Sequence, residues 1–235
     1  MNKMSAGIFI TGTDTGVGKT YVAVRIAEGL RRHGADVGVM KPAETGCIRR
    51  AGELVPADTL RLMKAAGSLD ALGHVNPYRF RRPLAPSVAA GLDGSRIEPA
   101  KILRSFRHLS KKHEFMIVEG AGGILVPLSD LYSYLDLAKD LRLPALIVAR
   151  PGLGTVNHTL LTIGVLKSRY VPITGIVINH TEDKSTGSAE RTNPAVIERI
   201  SGVPILGIVP YGASALGEIV DRIIGPPASY RGTGT

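Results

Sequence analysis

One stretch restricts this chain more than any other: Gly12-Thr13-Asp14-Thr15-Gly16-Val17-Gly18-Lys19-Thr20. It follows a short apolar run, Gly7 to Thr11, and opens a segment of helical spacing, Lys19 to Arg32. Strand, glycine-rich turn and helix in that order make an anion cradle. Glycines let successive backbone N–H groups converge on phosphate oxygens, and the helix N-terminus adds a favourable dipole. The lysine reaches the outer phosphates and the hydroxyl suits Mg²⁺. Five residues separate Gly12 from Gly18, so this is a variant of the usual loop, which has four. A glycine-rich turn with a surface lysine is the plainer reading, but it leaves the coincidence of strand, Gly-Lys-Thr and helix unexplained.

The same alternation runs on. Apolar runs at Asp36 to Met40, Phe115 to Glu119, Ala145 to Ala149, Thr174 to Asn179 and Ile205 to Val209 read as buried parallel strands. Ala57 to Ala66, Pro99 to Lys112, Tyr132 to Leu141, Thr155 to Ser168, Asn193 to Ile200 and Ala213 to Ile224 read as helices. The expected fold is α/β, P-loop NTPase-like, with a mostly parallel sheet and helices on both faces. Asn76 to Ser95 and Glu182 to Thr192 are expected to be loops. The 235 residues suit a single domain over 1–224 with a flexible tail over 225–235.

Composition removes several function classes. With 44% apolar residues and a mean hydropathy of +0.12 the chain can build a core. The single cysteine, Cys47, excludes an internal disulfide or a Cys-rich metal site, and its thiol is expected to be a small packing group. Met1 to Ile10 lacks the pattern of a signal peptide, and the uncharged run Ile200 to Gly217 is broken by Pro204 and Pro210, so a cytoplasmic protein is expected. The formal charge of +9 points to anionic partners. Its basic residues lie in scattered doublets, there is no tryptophan, and aromatics are only 5%, so neither nucleic acid nor membrane is expected.

Other candidate residues sit at strand ends. Glu119 closes an apolar strand and precedes Gly-Ala-Gly-Gly; an acid there commonly completes a magnesium shell. Lys41 ends the second strand, where Pro42 stops it, and a cation there can offset charge developing on a transferring phosphoryl group. A solvated lysine explains Lys41 equally well on sequence alone. Asp58, near the start of a helix, says little by itself.

Together these pieces resemble dethiobiotin synthetase, a family of ATP-dependent ligases that close a ureido ring in biotin synthesis. The resemblance rests on the variant loop, Lys41-Pro with Thr45-Gly, Asp58, Glu119-Gly-Ala-Gly-Gly, Gly152-Leu-Gly-Thr-Val-Asn157-His and Gly175-Ile-Val-Ile-Asn179. It implies that Lys19 and Thr20 hold phosphate and Mg²⁺, with Asp58 and Glu119 as further metal ligands. It places Gly16, Val17, Gly18, Gly122, Asn179 and Pro210 in the nucleotide site, Asn179 reading the adenine edge. Lys41 and Thr15 would lie beside the reacting groups and Thr45 beside the substrate. Gly154, Thr155 and Asn157 would contact the substrate carboxylate across a homodimer interface. The implied substrates are 7,8-diaminopelargonate, CO₂ and ATP, joined through a phosphorylated carbamate. Two positions depart from the family pattern: Ser87, where many members carry histidine, and Gly16, where some carry an acid.

Two rival readings share parts of these motifs. A P-loop amidoligase would normally need an ammonia source, and no glutaminase domain fits in this length. A partitioning-type ATPase switch binding DNA would usually carry an extra lysine early in the loop, and Gly12 to Gly16 has none.

Overall fold

The structure, a computed structural model, describes residues 6–183 and 186–225. Its centre is a six-stranded sheet of β1 (Ala6–Gly12), β2 (Val37–Met40), β3 (Phe115–Gly123), β4 (Ala145–Ala149), β5 (Ile173–Asn179) and β6 (Ile205–Val209). Their order is β6-β5-β4-β1-β3-β2 and every pairing is parallel. Parallel neighbours need long crossovers, and these supply the helices that cover the sheet. The helices are α1 (Lys19–Arg32), α2 (Ala57–Ala66), α3 (Leu72–Val75), α4 (Pro86–Leu92), α5 (Pro99–Leu109), α6 (Tyr134–Leu141), α7 (Thr155–Ser168), α8 (Ser188–Ser201) and α9 (Gly217–Ile224). α1 packs on α2 and α9, α5 on α3 and α6, and α7 on α8.

Burial explains the strand sequences. Ile8 to Ile10 of the central β1, Met116 to Val118 of β3 and all of β4 are buried, so these strands are continuously apolar rather than alternating. β6 was expected to be buried too, but it is an edge strand, and Ile208 is half exposed there. No helix among the described residues is long and apolar enough to cross a membrane.

Several expected boundaries are corrected. The stretch Asn76 to Ser95, read as a loop, contains α4, which starts with Pro86 in its first turn, where a missing N–H costs nothing. It also contains Tyr78–Arg79, a short strand paired with Ala43–Glu44. The loop read over Glu182 to Thr192 gives way to α8 at Ser188, which runs through a buried Pro194. α6 begins at Tyr134 because Ser133 and Asp136 form a reciprocal capping box. α5 stops at Leu109 and α9 starts only at Gly217. Apart from Gly225, the tail expected over 225–235 lies outside the described residues.

Just before β3, the His113 ring nitrogens lie 2.8 Å from Asp36 and 2.8 Å from Asp70. Burial opposes the charged ring, but hydrogen bonds to both carboxylates outweigh it and raise the His113 pKa. A raised folded value stabilises the protein below the unfolded value and is lost as pH rises through the folded one. The melting-temperature gap between the native protein and His113→Asn should therefore be widest near about pH 6 and narrow on the alkaline side. Melting curves over a pH series check this, and a gap that widens with rising pH would contradict it.

Candidate active site

The loop after β1 opens the site. Only glycine fits at position 12, because a Cβ there would lie 2.7 Å from the Asp14 carbonyl and 2.9 Å from the Lys19 ammonium. Gly18 (φ +85°) turns the chain into α1, and a Cβ on it would sit 2.2 Å from the Asn179 amide nitrogen. No side chain caps α1 and its first turn holds no acid, so its leading N–H groups remain available to an anion. Lys19 Nζ donates to the Asp14 carbonyl at 3.0 Å. Burial, partly offset by Glu119 and reinforced by Lys41, pushes the Lys19 pKa down to about 8.

Sheet register builds the second part. The last rung between β2 and β3 pairs Met40 with Val118, so Lys41 and Glu119 come next in line; Glu119 is itself paired with Ile10, two residues before Gly12. Lys41 Nζ lies 2.7 Å from Asp58 Oδ2, 2.9 Å from Glu119 Oε1 and 3.4 Å from Thr20 Oγ1. Thr20 donates to Glu119 Oε1 at 2.6 Å. The Lys41 and Glu119 side chains are only 5% and 1% exposed. Burial would lower the Lys41 pKa, but Glu119 and Asp58 outweigh it and hold the ammonium above the ordinary lysine range. Burial likewise opposes ionised Asp58, and the adjacent Lys41 charge overcomes that and leaves its pKa lowered. Lys41 is thus a fixed cation, not the solvated lysine its sequence also allowed.

Two residues that sequence reasoning passed over hold this cluster. Asn76 is fully buried and donates to the Lys41 carbonyl at 2.7 Å and the Tyr78 carbonyl at 3.0 Å. Glu44 is buried and accepts from the Asp58 N–H, the Thr59 N–H and the Thr59 hydroxyl at 3.0, 2.9 and 2.6 Å. The one sequence signal for Glu44 is indirect: α2 follows Pro56, which offers no side-chain cap.

The remaining candidates ring this centre unevenly. Asn179 donates to the Val17 carbonyl at 3.0 Å, and its Oδ1 is buried without a partner among the described residues. Thr15 and Gly16 are exposed at the loop tip, and a Cβ on Gly122 would lie 3.6 Å from the Thr15 hydroxyl. Thr45, half-buried, follows Glu44, and Pro210 is exposed just beyond β6. Gly154 and Asn157 are exposed where α7 begins after β4. Thr155 is fully buried in the protomer with its hydroxyl 3.5 Å from that of Thr159. Arg150 joins the β1 and β4 loops, 3.6 Å from Asp14 and 3.4 Å from the His158 ring, which gives His158 a structural contact. Burial pushes the Cys47 thiol up to about 11, in keeping with a packing role.

The residues fit a small hard cation. Thr20, Asp58 and Glu119 offer only oxygen, and Glu119 Oε2 is buried without a partner among the described residues. Among the described residues no group of three or more His, Cys, Asp or Glu side chains gathers to hold a metal. Two carboxylates and a hydroxyl are the set that Mg²⁺ takes when phosphate oxygens and water complete its shell.

A family described as an AAA domain matches residues 6–217. The chain is 43% identical to the ATP-dependent dethiobiotin synthetase BioD of Thermodesulfovibrio yellowstonii over 215 residues, covering 88% of this chain and 90% of that one. It is 44% identical to the protein of the same name from Bacillus subtilis strain 168 over 220 residues, 93% of each chain. Among solved structures it is similar to a ParA family ATPase from Chlorobium tepidum (TM-score 0.53, 17% identity, 94% and 98% of the two chains). It is also similar to the cell division ATPase MinD of Pyrococcus furiosus (TM-score 0.52, 18% identity, 94% and 99%). At those identities the likeness to ParA and MinD concerns the P-loop fold alone.

Proposed function

The chain belongs to the ATP-dependent dethiobiotin synthetase family, and from that premise we propose that it closes the ureido ring of dethiobiotin from 7,8-diaminopelargonate, CO₂ and ATP. One amine adds CO₂ to give a carbamate and a proton. The carbamate oxygen takes the γ-phosphoryl group of ATP, releasing ADP. The second amine then attacks the carbonyl, expels phosphate and loses a proton. Such chemistry needs no protein nucleophile; it needs reactants held in line and negative charge offset. The observation that carries this reading is the convergence of the Lys41 ammonium, the Thr20 hydroxyl and two carboxylates beside an uncapped helix N-terminus.

In this proposal the α1 N–H groups and Lys19 cradle the phosphates, while Lys41 faces the transferring group with Thr15 and Thr45 nearby. Thr20, Asp58 and Glu119 would hold Mg²⁺, which supplies charge neutralisation between phosphates. Gly154, Thr155 and Asn157, at the start of α7, would meet the substrate carboxylate across a homodimer interface. α7 supports that interface: Thr155, Thr159 and Thr162 face inward, whereas Leu161 and the preceding Leu153 are 61% and 87% exposed. A solution mass near twice that of the chain, by light scattering, is the result expected. We place the enzyme in the cytoplasm, where its reaction would draw on ATP.

The test of function is ADP release with MgATP and bicarbonate, with and without the diamine. Release that depends on the diamine, with a product that gains one carbonyl group and loses two hydrogens, is expected. Diamine-independent hydrolysis without such a product would return the switch ATPase to consideration.

Asn179 sets the base preference in this reading. One of its Nδ2–H donors bonds the Val17 carbonyl, which orients the amide, and its Oδ1 accepts, which suits the exocyclic amine of adenine. Inosine triphosphate, with a carbonyl in place of that amine, should show a KM about tenfold higher than ATP. Equal KM values would remove Asn179 from this role.

A further inference from the structure

Glu44 is a buried carboxylate that the proposed chemistry does not use, yet it lies three residues after Lys41 and next to Thr45. Its backbone is pinned. The Glu44 carbonyl accepts from the Phe80 N–H at 2.8 Å and lies 3.6 Å from the Cys47 thiol, and Ala43–Glu44 pairs with Tyr78–Arg79 as a short strand. From this fixed base its two oxygens take three donors in the first turn of α2, which Pro56 leaves without a side-chain cap. A carboxylate brought from another segment thus does what a capping residue of the helix would otherwise do.

The consequence falls on Asp58. Its own N–H is one of the three donors, while its carboxylate reaches Lys41 at 2.7 Å. The backbone that carries that carboxylate is therefore held by Glu44, through a hydrogen bond to a charged acceptor. We propose that Glu44 is a positioning residue that fixes Asp58 for metal binding and ties it to the segment carrying Lys41 and Thr45. This rests on the assignment of Asp58 as a metal ligand.

The test is Mn²⁺ binding by the full chain with a non-hydrolysable ATP analogue, read by electron paramagnetic resonance. Glu44→Gln keeps the size but turns one acceptor into an NH₂ group facing N–H donors. It should weaken Mn²⁺ binding about tenfold or more, leave metal-free nucleotide affinity unchanged, and raise the KM for Mg²⁺ without raising that for the diamine. Where Glu44→Gln does not fold, Glu44→Asp, which keeps the charge but shortens the reach, should show the same loss. Thr59→Val removes one bond to Glu44 and keeps both backbone bonds, so it should lower the melting temperature while holding Mn²⁺ affinity within about twofold. In an Asp58→Asn background Glu44→Gln should add no further loss, because both act through one group. Unchanged Mn²⁺ affinity in the folded Glu44 variant, or a full additional loss in the Asp58→Asn background, would overturn the proposal. Unchanged affinity in Asp58→Asn alone would instead overturn Asp58 as a ligand.

Discussion

Lys19→Ala is expected to lower kcat/KM for ATP by about a thousandfold while leaving the fold intact. Lys19 lies in the loop that would wrap the phosphates, and its ammonium donates to the Asp14 carbonyl at 3.0 Å. Burial holds its pKa down at about 8, so in the free protein it loses its proton within reach of ordinary assays. The charged form binds phosphate, so kcat/KM for ATP should fall as pH rises through about 8, while kcat, which reports the nucleotide-bound enzyme, should hold to higher pH. Lys19→Arg, charged at every accessible pH, should lose the alkaline limb along with part of the activity. Normal turnover by Lys19→Ala would dispose of the phosphate-loop assignment, and an unchanged alkaline limb in Lys19→Arg would assign that limb to another group.

What could be read in advance divides along a physical line. The parallel sheet and the sites at its strand ends were legible because each depends on local signals: an apolar run, a stop such as Pro42, a glycine turn, then a helix. Gly12 to Thr20, Lys41 and Glu119 all lie at such punctuation, and parallel register then forces Lys41 and Glu119 onto neighbouring positions. Asp58 was legible only through family resemblance, since a carboxylate in a first helical turn is ordinary. Glu44 and Asn76 escaped because their partners are backbone groups far along the chain, and no spacing rule links residue 44 to the N–H of residue 59. Thr155 shows how far a resemblance reaches. A resemblance that places its position at an interface says nothing about which way its side chain turns, and the inward threonine stripe of α7 turns it toward the core. α4 and the first turns of α8 were hidden for a third reason: proline and polar runs read as loops unless the positions they occupy in the helix are known.

Lys41→Ala should separate the two jobs of its ammonium. If Lys41 acts on charge that develops in transfer, kcat should fall by about a hundredfold to a thousandfold with ATP affinity little changed. An equal loss in ATP affinity with kcat unchanged would assign it to ground-state binding. The same substitution strips a buried cation from between two carboxylates, one of them only 1% exposed, and should cost about 3 kcal/mol of stability at neutral pH. The pH dependence of that cost has a definite sign. Asp58 has a lowered folded pKa, so its pairing with Lys41 stabilises the protein above the unfolded carboxylate value and is lost as pH falls through the lower folded one. The stability gap between native protein and Lys41→Ala should thus persist from about pH 5 upward and close in stronger acid. Denaturant melts at a series of pH values measure it, and a gap that stayed constant into acid would mean that Asp58 carries none of the coupling. Because kcat and stability draw on the same ammonium through different partners, Lys41→Gln, which can hydrogen-bond but carries no charge, should recover part of the stability and none of the rate.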